Sequence, residues 1–140
     1  MSVNDDEEAA AIELSYALLR EIRDTAEANG ARFALLVIPD QLQVEPDVVV
    51  YGVPDVLHRV QDYVGRFGEQ EDVPVIDPMA ALRRIREQED VPLYFRIDRH
   101  LNPVGHRRVA EILREELLGL GWLGQSTTGA ASVPSSSAGP

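Results

Sequence analysis

Apolar positions along the chain fall into alternating blocks of two kinds. Ile12, Tyr16, Leu19, Ile22 and Ala26 recur at helical spacing and predict one apolar face that stops near Asn29-Gly30. FALLVIP, Phe33 to Pro39, is instead a continuous apolar run too short for an ordinary helix, which suits a strand covered on both faces. The next stretch, PDQLQVEPDVVVYGVPD, mixes prolines with a valine run and leaves loop and short strand equally open. After Pro54, helical spacing returns through Val56, Val60, Tyr63, Val64 and Phe67, and the polar GEQED is expected to end that element. VPVID reads as a second buried strand. MAALRRIREQ then reads as a short helix with Met79, Leu82 and Ile85 inward and Arg83, Arg84 and Arg86 outward. The last helix follows Asn102-Pro103, an N-cap residue and a proline at the first helical position. It carries Val109, Ile112, Leu113, Leu117 and Leu120 on one face and ends near Gly119 or Gly121.

Strands joined through helices imply right-handed crossovers and a parallel sheet with helices on its faces, an α/β fold. The 140 residues suffice for one ordinary domain. Three regions are expected: an acidic segment over 1–11, the α/β domain over 12–121, and a disordered tail over 122–140. That tail is poor in charge and in anything to bury. The acidic run Asp5 to Glu8 reads as a solvated helix start whose carboxylates suit the positive end of the helix dipole.

Composition narrows the partners. With 24 acidic and 13 basic residues the formal net charge is -11, which disfavours nucleic acid and anionic membrane surfaces. The chain has no cysteine, which excludes disulfides, thiolate catalysis and cysteine metal sites. No segment has the length and apolarity of a membrane span, and the opening residues show neither a basic region nor an apolar one of a signal peptide. As written, a cytoplasmic chain is expected.

The chemistry concentrates in YFRIDRHLNPVGHRRVAEIL, residues 94–113. An aspartate two residues from a histidine can hold one imidazole nitrogen and leave the other free to take a proton from a hydroxyl, so Asp98 and His100 suit an orienter and a general base. The loop before a helix, at the carboxyl end of a parallel strand, is where ligands gather in such folds. His106 reads as a packing or hydrogen-bonding residue in the first turn of the last helix. A metal shared by His100 and His106 is disfavoured, since six residues do not put two ligands on one helical face, and His58 lies on another helix. No metal or cofactor is expected. Arg107 and Arg108, with Arg83, Arg84 and Arg86, are expected to pair with carboxylates on solvated faces. Asp40 and Gln41, after FALLVIP, suit either a ligand cleft or a turn that satisfies its own backbone. Trp122 is expected to cover the end of the core.

The string from Asp98 to Leu113, DRHLNPVGHRRVAEIL, resembles the catalytic block of the SGNH hydrolases, the GDSL esterase and lipase family. In that family an Asp and a His stand just before the last helix. The order of elements upstream is also similar, so the resemblance covers about Ile12 to Leu120. It implies a three-layer α/β/α fold with a parallel sheet. It implies acyl ester hydrolysis or O-acyl transfer, with His100 as general base, Asp98 as its partner, and acyl esters or acetylated carbohydrates or lipids as substrates. The spacing departs from the usual family pattern, D-x-H in place of D-x-x-H. The G-D-S block that carries the nucleophilic serine, and the Gly and Asn blocks of the oxyanion hole, are absent. Of the serines, Ser2 is terminal and Ser15 lies within a helix. Some acetyltransferase relatives place the serine after the Asp-His pair, and here Ser126, Ser132 and Ser135 to Ser137 follow it in the expected tail. A loosely held nucleophile forfeits most of the advantage of orientation. The resemblance therefore implies the C-terminal part of such an enzyme, inactive alone, with a partner chain as one source of the missing part. A non-catalytic binding module built on the same fold is the alternative.

Overall fold

The computed structural model describes residues 5–45 and 55–124, with the element order α1 (Asp5–Ala28), β1 (Leu35–Leu36), α2 (Gln41–Val44), α3 (Asp55–Glu71), β2 (Val75–Ile76), α4 (Met79–Glu89) and α5 (Pro103–Gly119). The valine run of residues 46–54 and the tail serines lie outside the described residues.

The two runs expected as strands do pair, in parallel, with Leu35 opposite Val75 and Leu36 opposite Ile76. The ladder is shorter than FALLVIP and VPVID suggest, although Leu35 and Val37 both donate to β2-side carbonyls, those of Pro74 (2.9 Å) and Ile76 (3.0 Å). Strand alternation turns the N–H and C=O of Leu36 toward the opposite edge. Among the described residues no backbone group pairs with that edge. The same alternation splits the core. Leu35 packs with Phe33, Ile12 and Leu19 around Tyr16, Phe67 and Val73. Leu36 packs on the other cluster, formed by Val44, Leu82, Leu93, Tyr94, Leu101 and Val109. A small parallel sheet among helices makes this an α/β fold.

Several elements differ from their sequence reading, each for a local reason. On α1, Ile22 is 55% exposed, so the inward position at that turn falls to Arg23, whose guanidinium bonds Glu71 at 2.8 Å. Glu8 is not a solvated cap residue, because it accepts from Arg59 (2.8 Å) and from the Tyr63 hydroxyl. These bonds, that from Tyr63 first, hold the Glu8 carboxyl below its ordinary value. GEQED does end α3, but only at its last two residues. The helix runs on through Glu71 and is closed by Asp72 at φ 54°. Gly68 explains the fit, since a Cβ there would lie 2.5 Å from Val75 Cγ2 and 2.8 Å from the Val73 carbonyl. Of the three α4 arginines expected outward, only Arg84 is exposed; Arg83 Nε donates to the Gln43 carbonyl, and Arg86 bonds Asp90 at 2.6 Å. The open stretch after Pro39 begins with the one-turn α2. Trp122 is half-buried and lies under the Arg32 guanidinium, 4.8 Å from its ring centroid.

Candidate active site

The chain leaves β1 through Ile38-Pro39-Asp40, and Asp40 starts α2 with a capping box. Its carboxylate accepts the Leu42 N–H (2.9 Å), while Gln43 Oε1 accepts the Asp40 N–H (2.8 Å). Asp40 therefore both satisfies the turn and lines a cleft, so the two sequence readings of this residue hold together. Gln41 does not line the cleft. It is fully buried in the core behind it.

Opposite the end of β1 stands a hairpin closed by the antiparallel bridge Tyr94–Leu101, with the Phe95 N–H donating to the His100 carbonyl (2.8 Å) and the Asn102 N–H to the Leu93 carbonyl (2.9 Å). Asn102 fixes where this hairpin becomes α5. Its Oδ1 accepts the Val104 and Gly105 N–H groups (2.8 and 3.0 Å), and its Nδ2 donates back to the Pro92 carbonyl (2.8 Å). Gly105 allows the close approach this needs, since a Cβ would sit 2.1 Å from the Leu93 carbonyl oxygen. Tyr94, 3% exposed, supports the cleft from below by donating its hydroxyl to the Pro39 carbonyl (2.8 Å). Burial, then the nearby Glu45 and Asp40, pushes the Tyr94 phenol well above the usual tyrosine value, so it remains a donor.

Asp98 and His100 lie at the hairpin tip. Asp98 Oδ1 accepts the His100 backbone N–H at 3.0 Å, and its Oδ2 stands 3.5 Å from His100 Nδ1. The intervening Arg99 takes φ 61°, a left-handed conformation unusual for a non-glycine residue, and this turn folds the two side chains toward one another. Arg99 reaches Asp40 at 3.8 Å across the cleft. The pair is open to solvent: the His100 side chain is 81% exposed and that of Asp98 58%. A contact of 3.5 Å exceeds a hydrogen bond, but catalytic contacts commonly tighten once substrate is bound.

The cleft these residues share has a volume of about 660 Å³. Its polar end holds Asp40, Asp98, Arg99 and His100, and its apolar wall includes Leu36, Ile38, Val109 and Leu113. His106 is exposed and lines this cleft; it is not packed, as its sequence position suggested. Arg108 bonds Glu89 and Glu111, whereas Arg107 stays exposed, so the arginines form no common patch. Among the described residues no group of His, Asp and Glu could hold a metal ion, and no helix is long and apolar enough to cross a membrane. Ser15, the described serine upstream of β1, is an exposed helical residue that donates to the Ala11 carbonyl (2.8 Å).

An α/β chain with an Asp-x-His pair facing the carboxyl end of a parallel strand has the form of a hydrolase-like domain. The family model described as SGNH hydrolase-like domain, acetyltransferase AlgX, matches residues 1–136, and the chain belongs to that family. No curated protein and no solved structure matches it.

Proposed function

We propose that Asp98 and His100 are the orienting carboxylate and the general base of a serine-dependent acyl esterase or O-acyltransferase, and that this chain by itself is inactive. The observation that carries this reading is the 3.5 Å approach of Asp98 to His100 Nδ1 at the rim of a cleft, next to the end of β1. With Nδ1 held by Asp98, Nε2 takes the proton of a serine hydroxyl as its oxygen attacks the acyl carbonyl. The imidazolium then protonates the leaving alcohol, and a covalent acyl ester remains on the serine. Water or an acceptor hydroxyl, deprotonated by the same His100, releases it. Acyl esters, or acetylated carbohydrates or lipids, are the substrates.

The serine comes from outside the described residues, from a partner chain or another part of a longer one. The edge of β1 with which no described residue pairs supports this, because a further strand parallel to β1 would deliver its carboxyl end beside Asp40 and His100. Such additions would extend the sheet toward the three-layer arrangement, for which clusters on both faces of β1 are already in place.

Fluorophosphonate probes label activated serines, so the purified chain is expected to stay unlabelled. Covalent labelling that disappears in His100→Ala would overturn its inactivity. A second reading, a binding module that keeps the cleft without the chemistry, draws on the exposure of the pair. A cooperative monomeric melt of the isolated chain favours that module, and insolubility favours dependence on a partner.

A further inference from the structure

A buried acid lies behind the cleft that the proposed reaction does not use. Glu45, 3% exposed, follows α2 and sits among apolar residues, where an unbonded polar group is costly. Both its carboxyl oxygens are taken. Oε1 accepts the Leu93 N–H at 2.6 Å, and Oε2 accepts the Nε2 group of fully buried Gln41 at 2.8 Å. Leu93 is the foot of the hairpin that carries Asp98 and His100, and its carbonyl accepts the Asn102 N–H at the start of α5. Gln41, Glu45, Leu93 and Asn102 thus form one series of bonds from the helix after β1 to the helix after the hairpin. The arrangement also leaves Gln41 Oε1 buried without a partner among the described residues, a cost that an all-apolar packing of the same space would avoid.

We propose that Glu45 is the positioning residue for the Asp98–His100 pair, acting through the Leu93 amide; this rests on the reading of that pair as orienter and base. The end of β1 sets one side of the cleft, and the hairpin tip sets the other. Tyr94 and Arg99 tie the two laterally, through Pro39 and Asp40. The Glu45 bond fixes the hairpin lengthwise, since sliding Leu93 along the chain direction breaks it at once. Three of the hairpin-tip residues, Phe95, Ile97 and His100, are about half exposed or more, so burial of side chains holds the tip weakly and the foot anchors it.

The test uses the His100 ring tautomer, read from imidazole nitrogen NMR shifts of the full chain, and the exchange rate of the Leu93 amide. In the unmodified chain the approach of Asp98 Oδ2 is expected to favour the proton on Nδ1, and Asp98→Asn to abolish that bias; an unmodified chain without any bias overturns the reading of the pair, and the positioning role with it. Glu45→Leu keeps apolar volume and removes the acceptor. It is expected to speed Leu93 exchange about tenfold, the loss of one buried hydrogen bond, and to reduce the tautomer bias to that of Asp98→Asn. Glu45→Gln, which keeps an oxygen for Leu93, restores both. Where Glu45→Leu does not fold, Glu45→Asp serves, because its shorter side chain withdraws the carboxyl from Leu93 and should lose the bias in the same way. A bias that Asp98→Asn abolishes but neither Glu45→Leu nor Glu45→Asp changes overturns the positioning role alone. A bias that Asp98→Asn leaves intact overturns the reading of the pair, and the positioning role with it.

Discussion

Asn102 does three jobs with one amide. It caps α5 through two N–H groups and reaches back to Pro92, so it joins the hairpin foot to the helix that follows. Asn102→Ala is expected to lower stability by about 1–2 kcal/mol, in the usual range for a lost N-cap, measured by urea unfolding. Asn102→Ser should recover most of it, since a hydroxyl can still cap. Gly105 is less forgiving. A methyl group there meets the Leu93 backbone, which cannot turn aside as a side chain would, and Gly105→Ala is expected to cost about 1–3 kcal/mol by overpacking. Its larger effect falls on the site. Because Leu93 is the hairpin foot, the displaced backbone should show as shifted Asp98 and His100 NMR signals in a chain that still melts cooperatively. If those signals stay in place, the close packing does not position the tip. The Asn-Pro pair was legible in the sequence as a helix start. The role of Gly105 was not, because it depends on which carbonyl the helix approaches.

At the scale of elements, helices α1 and α3 meet at Phe67, fully buried, with its ring 5.1 Å from that of Tyr16. The Tyr16 hydroxyl bonds the Tyr63 carbonyl at 2.6 Å, so one tyrosine contributes both packing and a cross-helix bond. Phe67→Ala is expected to destabilise by about 3–5 kcal/mol. Leu14→Glu, at a position 62% exposed on α1, should change stability by no more than about 0.5 kcal/mol. Equal costs in a pair of thermal melts would refute the assignment of the inner face. Helical periodicity found both helices and most of that face. It misplaced Ile22 because the inward position at that turn belongs to Arg23, which bonds Glu71 at the end of α3, and the neighbouring position on the helix is turned outward. Periodicity also could not find α2, whose four residues are fixed by the Asp40 capping box and by burial of Gln41, Gln43 and Val44.

For the whole molecule, stability should narrow at both ends of the pH scale. Hydrogen bonds from Arg23 and Arg20 hold the Glu71 carboxyl below its ordinary value of 4.5, and those from Tyr63 and Arg59 do the same to Glu8. A depressed folded value means that these groups stabilise the fold above about pH 4.5 and that the contribution is lost as pH falls below it. Tyr63 and Tyr94 are shifted the other way, Tyr63 chiefly by its bond to Glu8 and Tyr94 by burial. Their contribution is complete below the unfolded value of about 10 and is lost as pH rises through the higher folded values. Melting temperatures followed from pH 3 to 11 should therefore fall at both ends, and Glu71→Gln should flatten the acid limb. An acid limb as steep in that variant as in the unmodified chain would rule out Glu71 as a source.

Much of this was fixed by local sequence. The alternation of helical periods with short apolar runs determined an α/β chain with parallel strands, and D-R-H-L-N-P determined the loop and the cap, because each depends on spacing within a few residues. Tertiary structure decided what spacing cannot carry: that Asp40 shares a cleft with Asp98 and His100, that Gln41 and Glu45 turn inward to hold Leu93, and that His106 faces the same cleft. Those relations join positions some 50 residues apart, and only the packing of β1 against the hairpin and α5 brings them together. The exposure of His100 belongs to the same class, since whether a base is sheltered depends on what lies over it in space and not on its neighbours in the chain.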